Sequence, residues 1–130
     1  MERPALDAIA TRHGALLVLQ HGSTVTGTAD ATSDLDLAVL FEHAPSMDAY
    51  LSCVADLQAA FPGRDVDVAL LNHADPLLLK RVTDRCVLLS GSAARLRDLR
   101  LYAFKRYQDH RRFFQLEREY VRRKVRSARP

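Results

Sequence analysis

The chain has 130 residues, of which 48% are hydrophobic and 27% are charged. This length allows one domain with a modest core and is too short for two ordinary domains. No segment approaches the roughly 20 apolar residues of a membrane span, and the N-terminus has no long apolar region typical of a signal peptide. We therefore expect a cytoplasmic, soluble protein without membrane contact. The only cysteines, Cys53 and Cys86, stand singly in apolar surroundings and are predicted to be buried thiols rather than a disulfide or a metal site.

Charge is divided unevenly along the chain, although the net charge is only +3. Residues 1–94 contain 6 Lys/Arg and 12 Asp/Glu, whereas residues 95–130 contain 13 Lys/Arg and 4 Asp/Glu. The basic segment predicts contact with an acidic partner, which could be a nucleic acid, a nucleotide or another protein. A solvated basic helix face is the alternative.

Hydrophobic periodicity predicts, in chain order, a helix, two strands, a helix, a strand, a helix, a short strand and a long helix. The first helix covers about residues 5–12 and ends before Gly14. The apolar run Ala15–His21 predicts a buried strand, and residues 34–41 predict a central strand whose first residues meet solvent. This alternation indicates an α/β fold.

The second half continues the pattern. A helix capped by Ser46 is predicted to run to about residue 60, and residues 65–71 form a third strand candidate. Pro76 in the first turn of a helix and a short apolar run before Gly91 complete a globular core of about residues 1–92. From residue 93 onward apolar residues keep helical spacing without Gly or Pro, which predicts one long basic helix over about residues 93–127. We expect residues 1–130 to form a single domain.

Two carboxylates open the second strand. Because alternate side chains of a strand share a face, Asp34 and Asp36 should project together, while Leu35 and Leu37 point into the core. Carboxylates this close repel each other unless a cation or a shared proton compensates, and a bound divalent metal is the economical explanation. Magnesium suits oxygen ligands and triphosphate substrates. A solvated strand end is the alternative explanation of an isolated Asp-x-Asp.

A third carboxylate lies on the third strand. If this strand pairs beside the second, Asp67 would complete a three-acid cluster. Asp65 has the same parity, but Asp67 lies further into the strand between Val66 and Val68, where a carboxylate needs a partner.

Gly22-Ser23 follows the first strand and offers what a triphosphate needs. The glycine lets the backbone approach the phosphates, free amides can point at their oxygens, and the serine adds a hydroxyl donor. A Gly-Ser pair alone is more often only a turn. Here the pair is stronger evidence for a triphosphate site because the two acids follow it.

The chain resembles the DNA polymerase β-like nucleotidyltransferase superfamily in one signature. This signature consists of Gly22-Ser23, ten intervening residues and then Asp34-x-Asp36. The short length resembles its minimal nucleotidyltransferases, and the chain is similar to the MntA-type antitoxins of HEPN/MNT toxin–antitoxin pairs. Gly27-Thr28-Ala29 and the segment VDVALLN at residues 66–72 add to the resemblance, which covers roughly residues 14–90. It implies an α+β core in which helices flank a small mixed β-sheet, followed by the long C-terminal helix.

The resemblance also implies roles for the site residues. Asp34 and Asp36 would bind two magnesium ions, and Gly22 and Ser23 would contact the triphosphate of ATP. Asp67 would bind the catalytic metal and help to deprotonate the acceptor hydroxyl. One departure is that many relatives have Ala-Arg where this chain has Val25-Thr26. His21, Arg12 or a C-terminal arginine could supply the missing cation, and nucleotide preference stays open.

The implied function is that of an antitoxin, which transfers AMP from ATP to a tyrosine of a HEPN ribonuclease toxin and forms a hetero-oligomer with it. Arg106 and His110 are too close for the Arg-x4–6-His motif of the toxin. One alternative is an aminoglycoside-like small-molecule adenylyltransferase, although those enzymes carry a further helical domain. The other is a non-catalytic protein that binds a toxin or a nucleic acid through the basic helix, although three aligned carboxylates would repel phosphate in the absence of metal.

Overall fold

The computed structural model describes residues 3–22 and 34–128. The predicted order of elements is confirmed, with boundaries within about two residues of the expected ones. The elements in chain order are α1 (Arg3–His13), β1 (Ala15–His21), β2 (Leu35–Phe41), α2 (Met47–Ala60), β3 (Val66–Leu70), α3 (Pro76–Asp84), β4 (Cys86–Gly91) and α4 (Ala93–Ala128).

The four strands form one mixed sheet in the order β3-β2-β1-β4. β1 is antiparallel to both of its neighbours, whereas β2 and β3 are parallel. The parallel pair is joined through α2, since parallel strands require a crossover connection. This arrangement brings the beginnings of β2 and β3 and the end of β1 to the same edge of the sheet.

Apolar residues cover both faces of the sheet and create two cores. In β1, Val18 faces α1 and α2, whereas Leu17 and Leu19 face α3 and α4, as the period of two along a strand requires. The first core is completed mainly by side chains from β2 and α2, and the second by side chains from α3 and α4. The buried members of the second core from these two helices are Leu79, Val82, Leu96, Leu99 and Ala103.

Cys53 and Cys86 are both free, as expected. Cys53 is buried in the first core, whereas Cys86 is only half-buried, so the prediction of two buried thiols is wrong for Cys86. Cys86 begins β4, which is an edge strand among the described residues, and its Sγ lies 3.6 Å from the Arg100 guanidinium. Among the described helices none is long and apolar enough to cross a membrane.

The long helix packs on the sheet only through its first third. Leu96, Leu99 and Ala103 are buried, but from there to residue 128 no side chain is buried. Phe114 and Val121 keep the helical spacing of these buried residues, but both are exposed. The reason is length, because α3, the helix that packs beside α4, has only nine residues whereas α4 has 36.

Candidate active site

A row of polar side chains crosses the sheet at one edge. The parallel register pairs Asp36 of β2 with Asp67 of β3, and the antiparallel register pairs Asp36 with His21 of β1. On the other side of β1, His21 is paired with Cys86 of β4. Paired residues on neighbouring strands project from the same face of a sheet. The two carboxylates therefore lie side by side, on the face that α3 and α4 cover further along the strands.

The three predicted acids differ in their placement. Asp36 is half-buried, Asp67 is exposed, and Asp34 is exposed at the residue before β2. The inward direction of Leu35 and Leu37 is confirmed, since they are 1% and 0% exposed. Within residues 3–22 and 34–128, no three acidic, histidine or cysteine side chains lie close enough together to hold one metal. The structure thus brings Asp36 and Asp67 together and leaves Asp34 outside that pair.

Side chains of α2 fix the start of β3. The Gln58 amide donates to the backbone carbonyl of Arg64 at 2.6 Å and accepts from the Val66 amide at 3.0 Å. The Tyr50 hydroxyl donates to the carbonyl of Val68, and burial followed by the negative charge of Asp67 raises the pKa of Tyr50. These contacts hold the residues on both sides of Asp67, so its position depends on the docking of α2.

Two further contacts fix β3 against β2. The Leu35 amide donates to the carbonyl of Asp65 at 2.8 Å, just before the acid pair. At the far end, the side chain of Asn72 accepts from the Phe41 amide at 2.8 Å and donates to the Phe41 carbonyl at 2.9 Å. Asp65 therefore contributes through its backbone, and Asn72 closes the parallel pair so that the register of the two strands cannot shift.

Gly22 lies against the Asp36 carboxylate. Its φ is +82°, and a Cβ built on it would lie 2.3 Å from Asp36 Oδ2 and 3.1 Å from Asp36 Cγ. Glycine is therefore required at this position both by the backbone conformation and by the close approach of the acid. The predicted phosphate contact Ser23, the departure at Val25-Thr26 and the segment Gly27-Thr28-Ala29 lie outside the described residues.

A cleft of about 300 Å³ opens on the other side of Gly22. It is lined by His21, Gly22, Arg81, Asp84 and Arg85. Sequence reasoning missed the two arginines. Both arginines lie at the end of α3, directly before β4. The sequence would have pointed to them only if β4 had been known to pair with β1.

Arg12, one of the cations suggested by the sequence, lies elsewhere. α1 ends just before β1 begins, so Arg12 is at the opposite end of β1 from Gly22. Its guanidinium lies 3.1 Å from the Asp56 carboxylate of α2, which His13 contacts at 2.6 Å. The hydrogen bond from His13, together with Arg12, lowers the pKa of Asp56. Arg12 thus joins α1 to α2 and is wrong as the substitute cation.

This arrangement places two kinds of binding group on either side of one glycine. The carboxylate oxygens of Asp36 and Asp67 are donors of the type that Mg²⁺ prefers, and Mg²⁺ commonly takes only one or two carboxylates and completes its octahedron with water and phosphate oxygens. The arginine side of the cleft suits anions. The donor set therefore fits a magnesium ion that is bound together with a phosphate ester.

Comparison with known protein families identifies the core. The model of the family described as Polymerase beta, Nucleotidyltransferase matches residues 6–94. This range includes Gly22, the acids and both arginines of the cleft, and it ends in the first turn of α4. No curated protein matches the sequence.

Chains of solved toxin–antitoxin complexes resemble this chain over nearly its whole length. A chain of a toxin–antitoxin complex with AMP-PNP has a TM-score of 0.73 and 23% identity, with 96% of this chain and 98% of that chain covered. The complex of tri-AMPylated Shewanella oneidensis HEPN toxin with MNT antitoxin gives a TM-score of 0.67 at 21% identity, covering 95% and 94%. A protein described as a minimal nucleotidyltransferase gives 0.56 at 30% identity, covering 65% of this chain and 86% of that chain. The predicted polymerase β-like fold is confirmed.

The contact between Gly22 and Asp36 can be tested with a matched pair of glycine variants. Gly63 has nearly the same φ, +81°, but a Cβ there would meet nothing within 4 Å. Both Gly22→Ala and Gly63→Ala should lose about 1 kcal/mol of stability because of the left-handed backbone. Only Gly22→Ala should also displace the Asp36 carboxylate and weaken magnesium-dependent ATP binding, measured by isothermal titration calorimetry. Equal ATP binding by the two variants would show that the close approach has no role in the site.

Proposed function

Because the chain belongs to the polymerase beta nucleotidyltransferase family, we propose that it is an antitoxin that transfers AMP from ATP to a tyrosine hydroxyl of a HEPN ribonuclease toxin and thereby neutralises the toxin. The observation that carries the proposal is the pairing of Asp36 with Asp67 beside Gly22. Gly22 also lines the cleft that contains Arg81 and Arg85, called the arginine cleft below. Such an enzyme would act in the cytoplasm, and residues 1–130 would work as one domain.

The choice of a protein acceptor is supported by the long helix, which the similar toxin–antitoxin structure also covers. The family match ends at residue 94, but 96% of this chain is covered by the structure that contains AMP-PNP, so α4 also has a counterpart there. In the Shewanella oneidensis complex the toxin is AMPylated and the MNT antitoxin is bound to it. A small-molecule adenylyltransferase would have no need for a 36-residue helix whose residues from 111 to 128 are all exposed.

Each site residue is proposed to have its own role. Asp36 and Asp67, together with Asp34, hold the magnesium ions, of which two are expected. When bound, magnesium lowers the pKa of the attacking hydroxyl and neutralises charge on the α-phosphate and the departing pyrophosphate. The backbone at Gly22 and the hydroxyl of Ser23 hold the triphosphate, which keeps the α-phosphate beside the acid pair.

The proposed reaction is a direct displacement. The tyrosine oxygen attacks the α-phosphorus of ATP, so a new O–P bond forms while the bond between the α-phosphorus and the bridging oxygen to the β-phosphate breaks. Pyrophosphate leaves with that bonding pair, and the hydroxyl proton passes to Asp67, which is the exposed member of the acid pair. The enzyme itself forms no covalent intermediate.

Asp36→Asn should abolish transfer without unfolding the protein. The substitution removes negative charge from a metal ligand, so the loss should exceed the about 10- to 100-fold that loss of an outer-shell partner costs. Stability should be unchanged or slightly higher, because the variant also removes repulsion from Asp67. Transfer is measured with radiolabelled ATP and a HEPN-domain partner, with and without magnesium, and the exposed acid Asp48 of α2 gives the control Asp48→Asn. Transfer at nearly the wild-type rate by the Asp36 variant would remove the proposed mechanism.

Asp67→Asn should separate binding from turnover. If Asp67 mainly serves the catalytic metal and the acceptor proton, kcat should fall strongly while binding of ATP and magnesium persists. Asp65→Asn is the matched control, because Asp65 lies two residues before Asp67, just ahead of β3, and contributes through its backbone carbonyl. Loss of ATP binding in the Asp67 variant, measured by calorimetry, would give Asp67 a different role.

The exposed part of α4 should bind the partner. It carries both basic residues and large apolar side chains, and exposed patches of this kind mark interaction surfaces. Replacing Arg118, Arg122, Arg123 and Lys124 by Ala should weaken partner binding by about tenfold or more, mainly through slower association that depends on salt. Binding of ATP and magnesium should be unchanged. Exposed apolar residues of this part are Phe113, Phe114, Leu116, Tyr120, Val121 and Val125.

Surface plasmon resonance against the HEPN-domain partner and a random RNA at several salt concentrations measures this effect. A matched control removes four positive charges from the part of α4 that lies nearer the sheet, by alanine at Arg95, Arg97, Lys105 and Arg106. If the outer variant binds the partner unchanged but loses RNA, the helix is a nucleic-acid element and its assignment to toxin binding is wrong.

A further inference from the structure

The arginine cleft beside Gly22 contains two guanidinium groups that do not contribute to the contacts of the fold. Within the described part of the chain, neither Arg81 nor Arg85 has an ion-pair or hydrogen-bond partner, and both are exposed. The one acid that lines the cleft, Asp84, is already paired with Lys80 at 2.6 Å. The cleft therefore keeps a net positive charge from its two arginines.

A purely structural role for these arginines is the main alternative. Cations at the C-terminal end of a helix interact favourably with its dipole, and Arg81 lies in the last turn of α3. That end already has a cation, because Arg100 of α4 donates to the Thr83 carbonyl at 3.1 Å. Capping of α3 therefore does not by itself explain why Arg81 and Arg85 line a cleft that also contains Gly22.

Gly22 connects the cleft to the acid pair. A Cβ on Gly22 would collide with the Asp36 carboxylate, and the same residue forms part of the cleft wall. A triphosphate whose α-phosphate lay beside Asp36 would reach the cleft with its β- and γ-phosphates by passing Gly22. The two arginines lie on that side, and guanidinium groups bind phosphate oxygens through charge-assisted, often bidentate, hydrogen bonds.

We infer that Arg81 and Arg85 bind the β- and γ-phosphates of the nucleoside triphosphate, and supply the cation that this chain lacks at Val25-Thr26. The inference rests on the proposed nucleotidyl transfer and adds the residues that select a triphosphate over a monophosphate. After transfer the same side chains hold the departing pyrophosphate. Their contribution is to binding and charge neutralisation, whereas the acid pair positions the reacting phosphate.

The test compares nucleotides that differ only in the phosphates concerned. Calorimetry with ATP, AMP and inorganic tripolyphosphate, each with magnesium, is performed on the wild-type protein and on the double variant Arg81→Gln/Arg85→Gln. Loss of two charge-assisted contacts should weaken ATP and tripolyphosphate binding by about 10- to 100-fold and leave AMP binding unchanged. The control Arg111→Gln/Arg112→Gln removes the same charge from the exposed part of α4 and should behave as wild type. Arg81→Lys/Arg85→Lys keeps the charge without the bidentate geometry and should recover part of the affinity.

Three results would overturn the inference. These are unchanged ATP binding by the double glutamine variant, equal weakening of ATP and AMP, or equal weakening by the control. A fall in melting temperature with intact ATP affinity would instead assign the arginines to capping of α3. No acceptor is needed for these measurements, so failure to AMPylate a HEPN-domain partner would contradict the proposed function while leaving the phosphate assignment to be decided by the titrations.

Discussion

The candidate site depends on one constraint. Two negatively charged carboxylates are held next to each other on a pair of parallel strands. Asp36 and Asp67 are in register, and repulsion between adjacent carboxylates opposes that register unless a cation is present. The fold resists the repulsion with contacts outside the pair. Gln58 of α2 holds the residues before Asp67, and Asn72 binds both backbone groups of Phe41 at the other end. The acids are thus kept together by groups that a metal does not touch, which pre-organises the pair for a cation.

Local patterns were sufficient for the elements and for the direction of most side chains. The apolar run Ala15–His21, the cap at Ser46 and the alternation around Leu35 and Leu37 each depend on neighbours in sequence, and each is confirmed. The site required non-local information. The sequence predicted the acid pair only on the condition that β3 pairs beside β2. Nothing in the sequence indicated that the end of α3 lies beside the end of β1. Asp36 and Asp67 were therefore predicted conditionally, whereas Arg81 and Arg85 were missed.

The long helix shows the same limit in another form. Helical spacing of apolar residues predicted α4 correctly, because periodicity is a property of the segment itself. Periodicity does not tell how far a neighbouring element extends. α3 has nine residues, and the α4 residues from 111 to 128 are all exposed although their apolar positions keep the spacing that packing requires. The basic charge of the same segment keeps such a surface in solution and sets the sign of the partner that it attracts.

The separation of opposite charges at the site has a physical explanation in the backbone. Among the described residues no ion pair joins Arg81 or Arg85 to Asp36 or Asp67, although Gly22 lies against Asp36 and lines the same cleft as both arginines. Direct pairing would neutralise the acids and leave neither a metal site nor an anion site. A chelate of a divalent cation with a polyphosphate would satisfy both sides at once, because the carboxylates would hold the cation and the outer phosphates would keep negative charge for the arginines. The proposed site would therefore discriminate by the length of the phosphate chain, since a monophosphate at the acid pair would leave the arginines without a partner. A side chain at Gly22 would collide with the Asp36 carboxylate, so the proposed discrimination also depends on a glycine at this position.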